Sequence, residues 1–252
     1  MPSEFEIRTE IEIEADPEQI WQAIATGPGI TSWFMPHDVT PGVGGTVALT
    51  VAGFESEATI IDWEPPKRLA YRAPAAEDGT VHAMEFLIEG RDGATTVVRF
   101  AHNGFSGDDW GDEYEANLGD GWTFYLHTLR EYVLHFAGRP VTFISANAPA
   151  TSMGRDNWPA LRAGLGLGLD GPIEVGRSVR LTPAGLPPLA GVVDYANEAF
   201  LGLRTDDGLY RFHGVSGLGM PVAVGHHVYR DDVDRDALER DWNGWLAATF
   251  TG

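Results

Sequence analysis

Hydrophobic and polar positions alternate along residues 4–14, EFEIRTEIEIE, with Phe5, Ile7, Thr9, Ile11 and Ile13 on one side and charges on the other. A period of two over that length predicts a half-buried strand. The period then changes. Asp16 suits an N-cap, Pro17 the first helical position and Gln19 the return of a capping box, and Ile20, Trp21 and Ile24 form an apolar stripe. A first helix is expected there, ended by Gly27-Pro28-Gly29, with a further turn closing on Trp33 and Phe34. Strand patterns recur over 46–52, 56–63 and 68–72, with Pro65-Pro66 between the last two. Residues 81–89 and 95–102 predict a hairpin about Gly90-Arg91-Asp92-Gly93. The longest pattern is GWTFYLHTLREYVLHF, residues 121–136. Trp122, Tyr125, Leu129, Val133 and Phe136 recur at three- and four-residue spacing and share one helix face, with Thr123, His127, Arg130 and Glu131 largely elsewhere. Trp110, Tyr114 and Leu118 continue the spacing backwards. A sheet with one apolar face needs a cover, and this is the only long helix pattern in the first 140 residues. The pattern thus predicts an α+β layer of antiparallel strands roofed by one helix, with the space between them as the place to look for function.

After Gly138-Arg139-Pro140 the chain partly repeats itself. Residues 43–72 and 175–204 align without a gap at an offset of 132, with eleven identical pairs, among them Val47/Val179, Leu49/Leu181, Asp62/Asp194, Leu69/Leu201 and Arg72/Arg204. Ordinary composition gives about two or three matches over such a length. A helix pattern over 157–165 precedes the aligned strands, strand patterns over 209–213 and 222–229 follow them, and a helix over 234–250 closes the chain. Two tandem domains of one fold are expected, 1–139 and a trimmed, degenerate copy over 140–252.

Composition narrows the function classes. The net charge is −20, and residues 1–140 hold 24 acidic against 8 basic side chains. Such a surface repels phosphate backbones and anionic lipids, so neither nucleic acid nor membrane is an expected partner. No segment approaches a membrane span, the acidic N-terminus does not read as a signal peptide, and cysteine is absent. A cytoplasmic protein without disulfides, thiolate nucleophiles or cysteine metal sites is expected.

Four features carry a family resemblance: the alternating strand followed by ADPEQIWQAIA, Trp33-Phe34 after the first helix, PPKRLAY at 65–71, and Gly121-Trp122 with Leu126 and Leu129 on the long helix. Together they resemble the helix-grip fold of the START-like (SRPBCC) superfamily, in the branch similar to the activator of heat-shock-protein-90 ATPase, over residues 5–137. The resemblance implies a curved antiparallel sheet wrapped on a long C-terminal helix, with a cavity between them. Members of the superfamily bind lipids, hormones or polyketides, cyclise or hydrate substrates, or assist other proteins. A chaperone role is not carried over, because fold does not fix function.

The candidate site residues follow from face-sharing. His82, Met84, Phe86 and Ile88 share a face of one hairpin strand; Thr96, Val98, Phe100 and His102 share a face of the other. If Phe86 lies near Val98, the same register brings His82 near His102. Two imidazoles there can bind a carboxylate, shuttle a proton or make ordinary hydrogen bonds at a sheet edge. A third metal ligand is not indicated, so neither metal nor cofactor is expected. Trp33, Phe34, Trp110, Tyr114, Trp122 and Tyr125 line the cavity or fill the core, since both use the same residue types. Three function classes remain open: a protein binding a small apolar or amphipathic ligand; a cyclase, hydratase or hydrolase with His82 and His102 as acid/base groups; and a homodimer or protein-interaction module.

Overall fold

The computed structural model describes residues 3–51, 53–77, 79–91, 94–106, 111–154, 157–168, 171–214 and 219–251. The chain divides into two compact units, Met1–Ala137 and Gly138–Gly252.

The first unit opens with β1 (Ser3–Ile13), whose alternation puts Phe5, Ile7 and Ile13 inside. Next comes α1 (Pro17–Ala25), started by the expected capping box: Asp16 accepts from the Gln19 amide and Gln19 accepts in return. The first helix ends just ahead of Gly27-Pro28-Gly29, as expected. The second turn starts earlier than expected, with this tripeptide, as α2 (Gly27–Thr31), because Thr26 caps the Gly29 amide and Pro28 tolerates the first turn. There follow β2 (His37–Val39), β3 (Thr46–Val51), β4 (Phe54–Glu64), β5 (Arg68–Arg72), β6 (Val81–Arg91) and β7 (Thr95–Ser106). They form one antiparallel sheet in the order β1-β7-β6-β5-β4-β3-β2. The long helix α3 (Gly111–His135) lies against β1. Antiparallel curved sheet and terminal helix make a helix-grip α+β fold.

The expected stripe is buried at Trp122, Leu129 and Val133 of α3 and at Phe136 just past its end, with Tyr125 half-buried. Burial extends beyond that stripe to Phe124, Leu126, Thr128, Tyr132 and Glu131. Glu131, expected on the polar side, is buried and ion-paired with Arg130 at 3.0 Å. On the sheet's outer face, Arg68 bridges Asp62 (2.9 Å) and Glu85 (2.7 Å), tying β4, β5 and β6.

The second unit holds β8 (Thr142–Asn147), a short 3-10 turn, α4 (Asn157–Gly164), β9 (Ser178–Leu181), β10 (Leu189–Ala196), β11 (Phe200–Arg204), β12 (Gly208–His213), β13 (Ala223–Val228) and α5 (Arg235–Phe250). Its sheet runs β8-β13-β12-β11-β10-β9, the order of the first sheet without β2. Leu161, Trp242, Trp245, Leu246 and Phe250 of the helices, with Leu165 just past α4, cluster with Ile144, Val193, Leu203 and Phe212 of the strands. Strands β5 and β11 coincide at the offset of 132, but β10 runs one residue later. Ile60 faces Tyr71 in one unit, and Val193, not Val192, faces Leu203 in the other. The connection between β9 and β10 takes up the extra residue. The identical pair Asp62/Asp194 therefore occupies different environments. Asp62 meets Arg68 near the surface, whereas Asp194 is buried against Arg211 at 2.9 Å.

Candidate functional site

The hairpin register differs from expectation by two residues. Phe86 faces Phe100, Met84 faces His102 and His82 faces Gly104. A shift of two keeps every side chain on its face, so both imidazoles still point inward. They meet diagonally, His82 Nδ1 lying 3.0 Å from His102 Nε2. Gly104 makes this possible. An added Cβ there would stand 1.7 Å from the Val81 carbonyl oxygen and 3.1 Å from the Phe5 ring. With no side chain at 104, Phe5 closes over the position and lies 5.2 Å from the His102 ring, edge-on, and 5.7 Å from His82.

The long helix completes the arrangement. Trp122 Nε1 donates to His102 Nδ1 at 3.0 Å. An indole N–H only donates, so His102 Nδ1 must accept and the His102 proton sits on Nε2. That proton is then donated to His82 Nδ1, which leaves the His82 proton on Nε2. The chain Trp122→His102→His82 has a single consistent proton arrangement, with both imidazoles neutral. His102 and Trp122 are buried, at 4% and 6% exposure. Burial, and then the neighbouring His82, push the His102 pKa down to about 3.

Aromatic side chains surround this chain. Trp122 packs on Phe100 at 4.2 Å and on Phe34 at 5.4 Å, and Phe34 meets Tyr125 edge-on at 4.5 Å. Burial pushes the Tyr125 hydroxyl up to about 12. Along β6 the inward side chains change character: Phe86 and Ile88 are buried, while Met84 and His82 are half-buried. Burial of the inner face thus falls from the Ile88 end toward the His82 end.

Of the ten residues singled out in the sequence, Phe34, His82, Met84, Phe100, His102, Trp122 and Tyr125 come together here. Trp33 stacks on Phe34 but is otherwise core, with its indole N–H donating to the Ala23 carbonyl at 2.9 Å. Trp110 lies outside the described residues, and Tyr114 is placed only as part of α3. The sequence pattern missed Phe5, Gly104 and His37. Phe5 was legible as an inward strand position. Gly104 lay beyond the expected strand end. His37 sits on a three-residue strand too short to show alternation.

Among the described residues, no group of three or more His, Asp or Glu is placed to hold a metal ion. No described helix is long and apolar enough to cross a membrane. A groove of about 410 Å³ runs over the sheet's outer face past Glu6, Arg8, Glu85 and Arg99. It lies on the opposite side from the imidazoles, and its Arg99 is already paired with Glu10 and Glu89.

Comparison with known proteins places these features. No curated protein matches the chain. A solution structure of the Aha1 dimer from Colwellia psychrerythraea is 26% identical, over 51% of this chain and 96% of that one, with a TM-score of 0.42. A Mesorhizobium loti protein is 21% identical over 52% and 96%, with a TM-score of 0.45. A putative protein of the dynemicin biosynthetic locus aligns over 97% of this chain and 96% of its own, at 14% identity and a TM-score of 0.46. Residues 14–134 match the model of the Activator of Hsp90 ATPase homolog 1-like protein family. Over those residues the chain is similar to that family.

Proposed function

We propose that the first unit binds a small, mostly apolar ligand between its sheet and α3, at the end where Met84 and His82 reach solvent. The observation that carries this reading is the Trp122→His102→His82 chain. Catalysis by acid and base needs a group that gains and loses a proton near the working pH. His102 is held near 3, and the chain ends on an indole N–H that does not ionise in water. A proton passed outward from His82 has no replacement from Trp122. The pair therefore works as a fixed N–H dipole, which orients a ligand, and not as a proton relay. Apolar walls with a few oriented polar groups are the usual make-up of a small-molecule site. This favours the binding reading over the cyclase or hydratase reading.

The test is a calorimetric titration of two-ring aromatic compounds into the wild type and His82→Phe, with NMR shifts to locate the site. Saturable one-to-one binding that perturbs Met84, Phe100 and Trp122, and weakens in His82→Phe, is expected. If no compound binds and none raises the melting temperature, the reading fails and the interaction-module alternative takes its place.

We infer in addition that the second unit is a tandem, trimmed copy of the first. The common strand order supports this, as do the paired glycines: Gly44 and Gly176 have φ of 82° and 87°, Gly53 and Gly185 of 81° and 83°. Expressing residues 138–252 alone tests it: a folded, cooperative unit is expected, and an unfolded chain would contradict it.

A further inference from the structure

His37 opens β2 and belongs to none of the hydrogen bonds described above. Its backbone is fixed on a short frame. Its amide donates to Thr31 Oγ1 at 3.1 Å, and the Thr31 hydroxyl donates to the Gly27 carbonyl at 2.8 Å. Gly27 is pressed against the same residue, because an added Cβ would stand 2.7 Å from the His37 carbonyl oxygen. The imidazole is fixed as well. Its Nδ1 lies 2.8 Å from the Met35 carbonyl oxygen, and its ring stacks on Phe34 with centroids 5.5 Å apart and planes 29° apart.

A carbonyl only accepts, so Nδ1 carries the proton and Nε2 presents a lone pair. No partner for Nε2 is found among the described residues, and the ring is half-buried. Burial, the largest influence, lowers the pKa against smaller opposing effects from Met35 and Asp38. The ring therefore stays neutral near neutral pH and keeps its lone pair. Holding β2 in place uses Nδ1 alone; it does not call for a preorganised acceptor next to an aromatic cluster. That cluster is the one already described, since Phe34 also touches Tyr125 and Trp122. The two imidazole ends differ in polarity: His82 carries an N–H, His37 a lone pair.

We infer that His37 Nε2 is a second polar anchor of the binding site, accepting a hydrogen bond from the hydroxyl of an aromatic ligand beside Phe34. The ligand class is then a hydroxylated aromatic compound of the phenol type. This rests on the binding reading above and deepens it.

The experiment compares 2-naphthol with 2-methoxynaphthalene. Both keep the rings and an acceptor oxygen, and only the first donates. Wild type is expected to bind 2-naphthol roughly tenfold more tightly, the size of one neutral hydrogen bond in a desolvated site. His37→Phe keeps a ring against Phe34 and removes the acceptor. It is expected to bring the ratio to about one without weakening 2-methoxynaphthalene. A second readout needs only the wild type. Excited 2-naphthol is a strong acid and passes its O–H proton to His37 Nε2, giving naphtholate emission; the proton returns on relaxation. A wild-type ratio near one, a ratio unchanged in His37→Phe, or bound 2-naphthol without naphtholate emission overturns the inference and leaves the binding reading standing. Failure of both probes to bind overturns the two together. If His37→Phe does not fold, the wild-type ratio and emission decide.

Discussion

Replacing His102 with Gln should make the first unit relatively more resistant to acid. In the folded protein His102 is neutral, its pKa lowered to about 3 from an unfolded value of 6.5. Between those values the unfolded chain binds a proton that the folded chain does not, so wild-type stability falls as pH drops below about 6.5. For one such group the loss is about 2 kcal/mol on going from about pH 8 to about pH 5, at about 1.4 kcal/mol per pH unit once below the unfolded pKa. Gln keeps an acceptor for Trp122 and a donor for His82 but does not titrate. It gives up ring contacts with Phe5 and Trp122, which costs about 1–2 kcal/mol near pH 8. That deficit should shrink by about 2 kcal/mol near pH 5, closing or reversing the gap. His213, pushed down to about 4 by burial and Arg211, and His226, held well below its usual value, contribute equally to both proteins and cancel. The assay is urea denaturation at both pH values, read by hydrogen exchange of the β6 and β7 amides. A stability difference that stays constant between the two pH values would refute a neutral, buried His102.

Other substitutions probe neighbouring parts of the account. Trp122→Phe removes the only donor described for His102 Nδ1 and should cost about 1–3 kcal/mol. Imidazole ¹⁵N shifts should then show His102 losing its pure Nε2–H tautomer; an unchanged tautomer would mean that something else sets it. Gly104→Ala must move the Val81 carbonyl, 1.7 Å from the new Cβ, and should destabilise by about 2 kcal/mol or more in thermal unfolding. In the second unit, Asp194→Ala strands the buried Arg211 and should cost about 3–5 kcal/mol by denaturant unfolding, with most of it recovered when both residues become Leu. Asp16→Ala removes the α1 cap and should cost about 1 kcal/mol by the same assay.

Much of the architecture was legible because it rests on local rules. The alternation of residues 4–14, the Asp16–Gln19 box and the helical spacing of Trp122, Leu129 and Phe136 each encode their element directly. The hairpin register was not legible. Glu89, Gly90 and Arg91 are exposed and look like a turn, yet β6 continues through Arg91, opposite Thr95. An expectation that ends the strands at Glu89 centres the turn too early and shifts the pairing by two. The convergence of His82 and His102 survived only because a shift of two preserves the face, and Gly104 let the diagonal contact form. The Trp122–His102 bond was beyond reach for a different reason. Periodicity gives a helix an apolar face but not its rotation against the sheet, so which side chain meets the Trp122 N–H depends on packing. His37 lies on a three-residue strand, where alternation has too few residues to register. The gapless repeat likewise hid the one-residue lag of β10, because Asp62 and Asp194 match as letters while one sits near the surface and the other in the core.

The central claim is that the first unit holds a small molecule against the Trp122→His102→His82 chain. Native mass spectrometry of freshly purified protein, beside the same preparation of His82→Phe, tests it most directly. The account predicts a stoichiometric adduct on the wild type, released on denaturation as a small aromatic or amphipathic compound and depleted in His82→Phe. A wild-type protein that flies bare, and whose mass no added aromatic compound changes, would contradict it.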